Sequence, residues 1–472
     1  MNHTPFKIFL VVLVASLFLG GCEAQKPFIK PSLDGEGEVF LYVRPLPHEA
    51  RQLKFTISKI LAVKDDGSEY PLNLAFKDFS NDSVGRQRFL ASGVLPPGEY
   101  AGLAIGVGGA TLQDEEGDER LLVPEKPARI DCRFTITQKK ATFQSLTFNY
   151  DQSVTTGYSF NPVFTVTPAG KPVTGLTGYV SNSGSNTLTV FDKQYLEVVG
   201  VIATGAEPKG LAIDQLRRRA YVALSGDDAV EVLDVTLGEI TNRIRLKPGD
   251  APEELALTPD GKLLLAVNSG SDTVSFIDPV SNLETGRVKV GNKPTSILLD
   301  PAGTRAYVFN ILSQTMSVID LPSRTEAAAV PSEPGLTRGQ FSRNGDILYT
   351  VHDMSPFVRV LSPFPSLALH QRYRIGMGTS SIKLDTMTNL IYMGKQLGSE
   401  IEVFEPSTFI SLGTIATSGS AAYMTIDGEQ NNLYVLSGDR KMVEVINLVT
   451  KDVVGRFDVD EAPFRVSLMG ER

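Results

Sequence analysis

The 472-residue chain sets 45 Lys and Arg against 54 Asp and Glu, a formal charge of −9. Long-range repulsion therefore argues against a nucleic-acid or anionic-lipid surface. Trp is absent, and four His and two Cys are present, so chemistry that leans on imidazole, thiolate or metal ligation has few residues to draw on. No cofactor and no metal are expected.

Residues 1–21 read as an export signal rather than as part of the fold. Lys7 precedes an apolar run from Ile8 to Leu19. That run is shorter than the roughly 20 residues a spanning helix needs. It ends in Leu19-Gly20-Gly21-Cys22, which resembles the bacterial lipobox. The resemblance implies cleavage before Cys22, a diacylglyceryl group on its sulfur and a further acyl chain (palmitate in type) on its nitrogen. Several acyl chains anchor stably where one is marginal. Glu23 and Ala24 lack the Asp that favours inner-membrane retention in enterobacterial lipoproteins, so the resemblance favours the outer membrane. Residues 22–36, with Pro27, Pro31 and Gly35, read as a tether.

Residues 37–166 alternate with period two. Candidate strands are Val39–Val43, a run through Leu53, Phe55, Ile57, Ile60 and Leu61, then Tyr100–Val107, Ala128–Ile136 and Phe143–Tyr150. Asp66-Gly67 and Pro96-Pro97-Gly98 punctuate them. An antiparallel β-sandwich is the economical reading. Cys132 shares a face with Ile130, Phe134 and Ile136, so it reads as a buried core thiol. The acidic run Asp114–Glu119 lacks the alternating ligands of a calcium loop and reads as a solvated hairpin tip. Leu95-Pro96-Pro97-Gly98-Glu99-Tyr100 resembles the turn into a strand of transthyretin-like sandwiches. As a whole the stretch is similar to an uncharacterised domain found at the start of bacterial lipoproteins. Residues 167–177 read as a linker.

From Gly178 the chain repeats. Strands open at Tyr179, Tyr221, Leu265, Tyr307, Tyr349, Tyr392 and Tyr434, about 42 residues apart. A second strand, a third and a fourth follow, the fourth led by Pro at Pro208, Pro252, Pro294 and Pro463. Four strands in that length make one propeller blade, which predicts a seven-bladed β-propeller over 178–472. Tyr179-Val180-Ser181-Asn182 and its counterparts resemble the YVTN family of propeller repeats. Relatives of that family include surface-layer-like and periplasmic binding proteins, lactonases and haem-binding domains. Because the series starts on a Tyr strand and ends on Phe464–Leu468, the last strand should complete the first blade. Arg217-Arg218-Arg219 reads as a solvated turn.

In such propellers the loops leading into the innermost strands ring one mouth of the central channel. Here they carry Lys209, Glu253, Glu254, Arg338, Tyr423 and Arg465, with hydroxyls of Thr295, Ser296, Thr337, Ser380 and Ser381 between them. This mixture suits a polar ligand or a protein loop. His352 replaces the Asn of the strand motif, and His370 lies on an outer segment. The expectation is a non-enzymatic, lipid-anchored binding or scaffold module of the cell envelope, with a protein or glycan partner and no nucleic acid. The alternative is a lactonase-like hydrolase that uses Glu253, Arg338 and Tyr423 at the mouth.

Overall fold

The computed structural model describes residues 33–113, 117–155, 158–167 and 173–471. The signal segment, Cys22, most of the tether and Asp114–Glu116 lie outside the described residues. Strand makes up 59% and helix 3%, which fixes the chain as all-β.

Between Gly37 and Thr167 two sheets share one apolar core. One sheet sets Gly37–Val43 between Ala141–Phe148 and Arg88–Leu95. The other pairs Leu53–Lys64 with Gly98–Gln113, which also pairs Ala128–Ile136. Ile130, Cys132, Phe134 and Ile136 all point into the shared core, and burial pushes the Cys132 thiol up to about 11. One expectation needs correcting: the first sheet is not wholly antiparallel. Gly37–Val43 runs parallel to Ala141–Phe148. The physical reason lies in its burial, for all seven residues of Gly37–Val43 are buried. Val39, Leu41 and Val43 face the shared core, while Phe40 and Tyr42 face the other way, into the repeat region. A strand covered on both faces needs no polar side, and parallel pairing is found in such settings.

The remainder forms seven four-stranded antiparallel sheets among the described residues. Their first strands, from Pro208, Pro252, Pro294, Leu336, Thr379, Tyr423 and Pro463, contact one another in a closed cycle. The Tyr strands explain the packing between sheets. Tyr179 packs with Leu211, Ala220 and Val222 of the following sheet, and Tyr221 with Leu255, Leu264 and Ala266 of the next. Leu265, Tyr307, Tyr349, Tyr392 and Tyr434 repeat the contact around the ring. Each of these side chains is buried, and the six tyrosines add the large apolar area that makes aromatics dominate such cores. The motif's Asn has a local task. Asn182, Asn268 and Asn310 each donate to two hydroxyls of the neighbouring strand: Thr187 and Thr189, Thr273 and Ser275, Thr315 and Ser317.

As the phase of the repeat predicts, Pro463–Leu468 pairs with Thr177–Asn182. The closing sheet is thus built from both ends of the repeat region. Lys193 and Asp427 reinforce it as a fully buried ion pair at 3.0 Å, and Lys193 Nζ also donates to the carbonyl of Met469 at 2.6 Å.

The N-terminal sheets dock on the flank of this ring. Phe40, Tyr42 and Phe89 pack with Phe191, Val198 and Phe457. Arg86 and Arg88 reach Asp458, which also accepts from the Phe89 backbone N–H at 3.1 Å. Gln87 Nε2 donates to the Val198 carbonyl, and its Oε1 accepts from the Val198 N–H. An interface holding a buried carboxylate, two arginines and five aromatic rings makes the two parts one packed body.

Candidate functional site

The mouth residues are set by a repeated irregularity. Five of the first strands bulge near their second residue, with register breaks between Pro208 and Leu211, Pro252 and Glu254, Pro294 and Ser296, Leu336 and Arg338, and Thr379 and Ser381. A bulge bends its strand and re-aims its side chains. Four first strands are also preceded by a residue with positive φ directly before Pro: Glu207, Ala251, Lys293 and Ala462. That conformation is sterically disfavoured for a residue before proline. Strain of this kind is concentrated at the channel mouth.

The six candidates come together in two groups. Glu254 is nearly buried, and its Oε1 accepts from Nη1 of both Arg465 and Arg338, the latter at 3.4 Å. Arg338 and Arg465 both lie over the Tyr423 ring, 4.7 and 5.1 Å from its centroid. These residues come from four different sheets, so the contacts cross the channel. In the second group Lys209 pairs with Glu253 at 3.6 Å and lies 5.8 Å from the Phe464 ring centroid. Gly210 allows this close approach. A Cβ there would stand 2.6 Å from Glu254 Cα and 2.9 Å from the Glu253 carbonyl.

Two further residues were not read from the sequence. Lys383 Nζ pairs with Glu471 at 3.2 Å, deeper along the channel. Lys383 sits two positions beyond Ser381 on one strand, so period-two alternation was the available signal. Glu471 follows the last strand, where no repeat position predicts it.

Burial dominates the electrostatics. It lowers the guanidinium pKa of Arg338 and of Arg465, with Tyr423 and Glu253 opposing it at Arg338 and Glu471 opposing it at Arg465. It drives the Tyr423 phenol well above its usual range, so that the hydroxyl stays protonated at neutral pH. For Glu471 burial acts upward, but Lys383 and Arg465 outweigh it and hold the carboxyl below its usual value. Solvent still reaches the cluster, because the Arg338 and Arg465 side chains remain 22% and 16% exposed.

The other singled-out residues lie elsewhere. His352 is buried in its own sheet, where its Nε2 shares a 2.9 Å hydrogen bond with Ser332 Oγ. His370 is exposed on the outermost strand of that sheet and meets Ser362. The Arg217–Arg219 turn is tied down locally, with Arg217 donating to Asp214 and to the Gly261 carbonyl. No group of three metal-ligating side chains occurs among the described residues.

No family model matches the chain, and no curated protein does. Solved structures do. Kuenenia stuttgartiensis hydrazine synthase aligns with a TM-score of 0.54 at 16% identity, over 60% of this chain and 96% of that one. The dihydro-heme d1 dehydrogenase NirN gives 0.50 at 15%, over 64% and 77%. A candidate 6-phosphogluconolactonase from Bacteroides uniformis gives 0.51 at 17%, over 62% and 98%. At such identities the likeness shows the fold alone, and that fold is of the β-propeller kind.

Proposed function

We propose that the chain is a lipid-anchored envelope protein in which an N-terminal β-sandwich carries a seven-bladed β-propeller, and that the propeller mouth binds a polar ligand or a protein or glycan partner. The observation that carries this reading is the convergence of Glu254, Arg338, Arg465 and Tyr423 from four sheets upon one end of the channel. Stability gives little reason to gather them. Buried ion pairs stabilise weakly compared with apolar packing, and the bulged, strained strand starts add a further cost. Clusters of this kind mark sites more often than cores.

The site suits recognition better than hydrolysis. Tyr423 holds its proton at neutral pH and so is not a base, and no described histidine lies beside it. The YVTN-like repeat and the lipobox-like Leu19-Gly20-Gly21-Cys22 support the placement in the envelope, with the outer membrane favoured.

Two measurements test the reading. Cys22→Ser should shift the protein from the membrane to the soluble fraction; retention in the membrane would sink the anchor. In-cell crosslinking of the full chain should capture a partner protein, glycan or small ligand, and an empty result from living cells would count against a binding role.

A further inference from the structure

The mouth cluster has an unbalanced charge and, on its charged side chains, two unused polar atoms. Lys209 is matched by Glu253, and Lys383 by Glu471. Arg338 and Arg465 share the single carboxylate Glu254. Four cations therefore face three carboxylates, which leaves one positive charge in a partly desolvated channel. One singly charged anion would neutralise it. A guanidinium suits an oxyanion with two coplanar oxygens, because its fork matches that geometry. The unused atoms refine the choice. Glu254 Oε2 is buried and accepts from no protein donor, and only 3% of its residue is exposed. Arg465 Nε is buried and donates to no protein acceptor. Leaving a charged group unsatisfied in this way is costly, unless something else pairs with it. A matching ligand therefore brings an acceptor for Arg465 and a donor for Glu254 on one small framework.

We infer that the mouth is a site for a small hydroxy-carboxylate, whose carboxylate lies against Arg465 and Arg338 and whose neighbouring hydroxyl donates to Glu254 Oε2. This inference rests on the mouth being the binding surface and names the ligand class for it. A simple carboxylate would neutralise the arginines but leave Glu254 Oε2 unpaired. A neutral polyol would do the reverse. Tyr423, beneath both arginines, fixes the planes of their forks through stacking.

The test is isothermal titration of the full chain with three probes: D-gluconate, which carries both groups, hexanoate, which carries the carboxylate alone, and D-glucitol, which carries hydroxyls alone. Gluconate should bind, with each partial analogue weaker by roughly tenfold or more, the cost expected when a buried charged group loses its partner. R465M should weaken gluconate by a similar factor while circular dichroism shows the fold intact. If R465M misfolds, R465K serves, since it keeps the charge and loses the fork. No binding of gluconate, equal binding of hexanoate, or unchanged affinity in the folded Arg465 variant would each overturn the inference. The reading of the mouth as a surface for a protein or glycan partner fails separately: it falls if a photo-crosslinker placed at Thr295 captures nothing in cells, whatever gluconate does.

Discussion

His352 offers a prediction whose size follows from its surroundings. Its ring is fully buried, and burial lowers its pKa to about 4, with Glu333 opposing and Arg359 assisting. An unfolded-chain histidine titrates near 6.5. The folded pKa is thus depressed, so the unfolded chain takes up the proton first as pH falls. Stability is lost progressively below about pH 6.5, until the folded imidazole also charges near pH 4. A gap of that width is worth about 3 kcal/mol. His352→Asn places at this position the residue that Asn182, Asn268 and Asn310 supply in other sheets, and it removes the titration. The assay is denaturant unfolding of wild type and variant at several pH values between 7.5 and 4. Titrations of carboxylates other than Glu333, which faces His352, are common to both proteins and cancel in the difference. The reading lies in the slope: wild type should lose about 3 kcal/mol more than the variant between pH 6.5 and 4. Parallel profiles would show that His352 is not held neutral by burial.

Three other perturbations probe the architecture. Deleting residues 463–472 removes the closing strand with Val466, Leu468 and Met469, which are buried. At ~2 kcal/mol or more for each buried side chain, thermal unfolding should shift down strongly, and an unchanged transition would contradict closure by the C-terminal strand. Asp458→Ala leaves Arg86 and Arg88, whose side chains are only 12% and 9% exposed, with the exposed Asp82 as their remaining carboxylate. Removing one member of a buried pair costs about 3–5 kcal/mol, and proteolysis between the N-terminal sheets and the ring should accelerate; equal protection would show that the flank contact is not rigid. Gly210→Ala forces a Cβ against the backbone of Glu253 and Glu254. It should cost ~1–3 kcal/mol, as overpacking does, and should reduce binding at the mouth, with calorimetry reading both.

Much of the ring was legible because its information is periodic. The Tyr positions recur at a fixed interval, and each meets the same physical demand: to cover the face of the next sheet. The pairing of Pro463–Leu468 with the first Tyr strand followed from phase alone. The mouth candidates were legible for the same reason, being equivalent positions on equivalent strands. Lys383 lies beyond the strand starts, where the repeat pattern marks no channel-facing position. Glu471 lies past the repeat, where no neighbouring unit offers a counterpart. In the N-terminal part the Arg88–Leu95 strand and the parallel pairing of Gly37–Val43 were hidden. Their burial depends on a second face provided by Phe191, Val198 and Phe457, more than a hundred residues away. Local alternation carries no trace of such a partner.

We propose the end of the channel that carries the charged cluster as the binding surface. The direct measurement places a photo-crosslinking side chain at Thr295, beside the charged cluster, or at Leu216, an exposed turn residue at the opposite end of the first strands. Covalent adducts recovered from irradiated cells should appear from Thr295 and not from Leu216. Adducts from Leu216 with none from Thr295 would contradict the account.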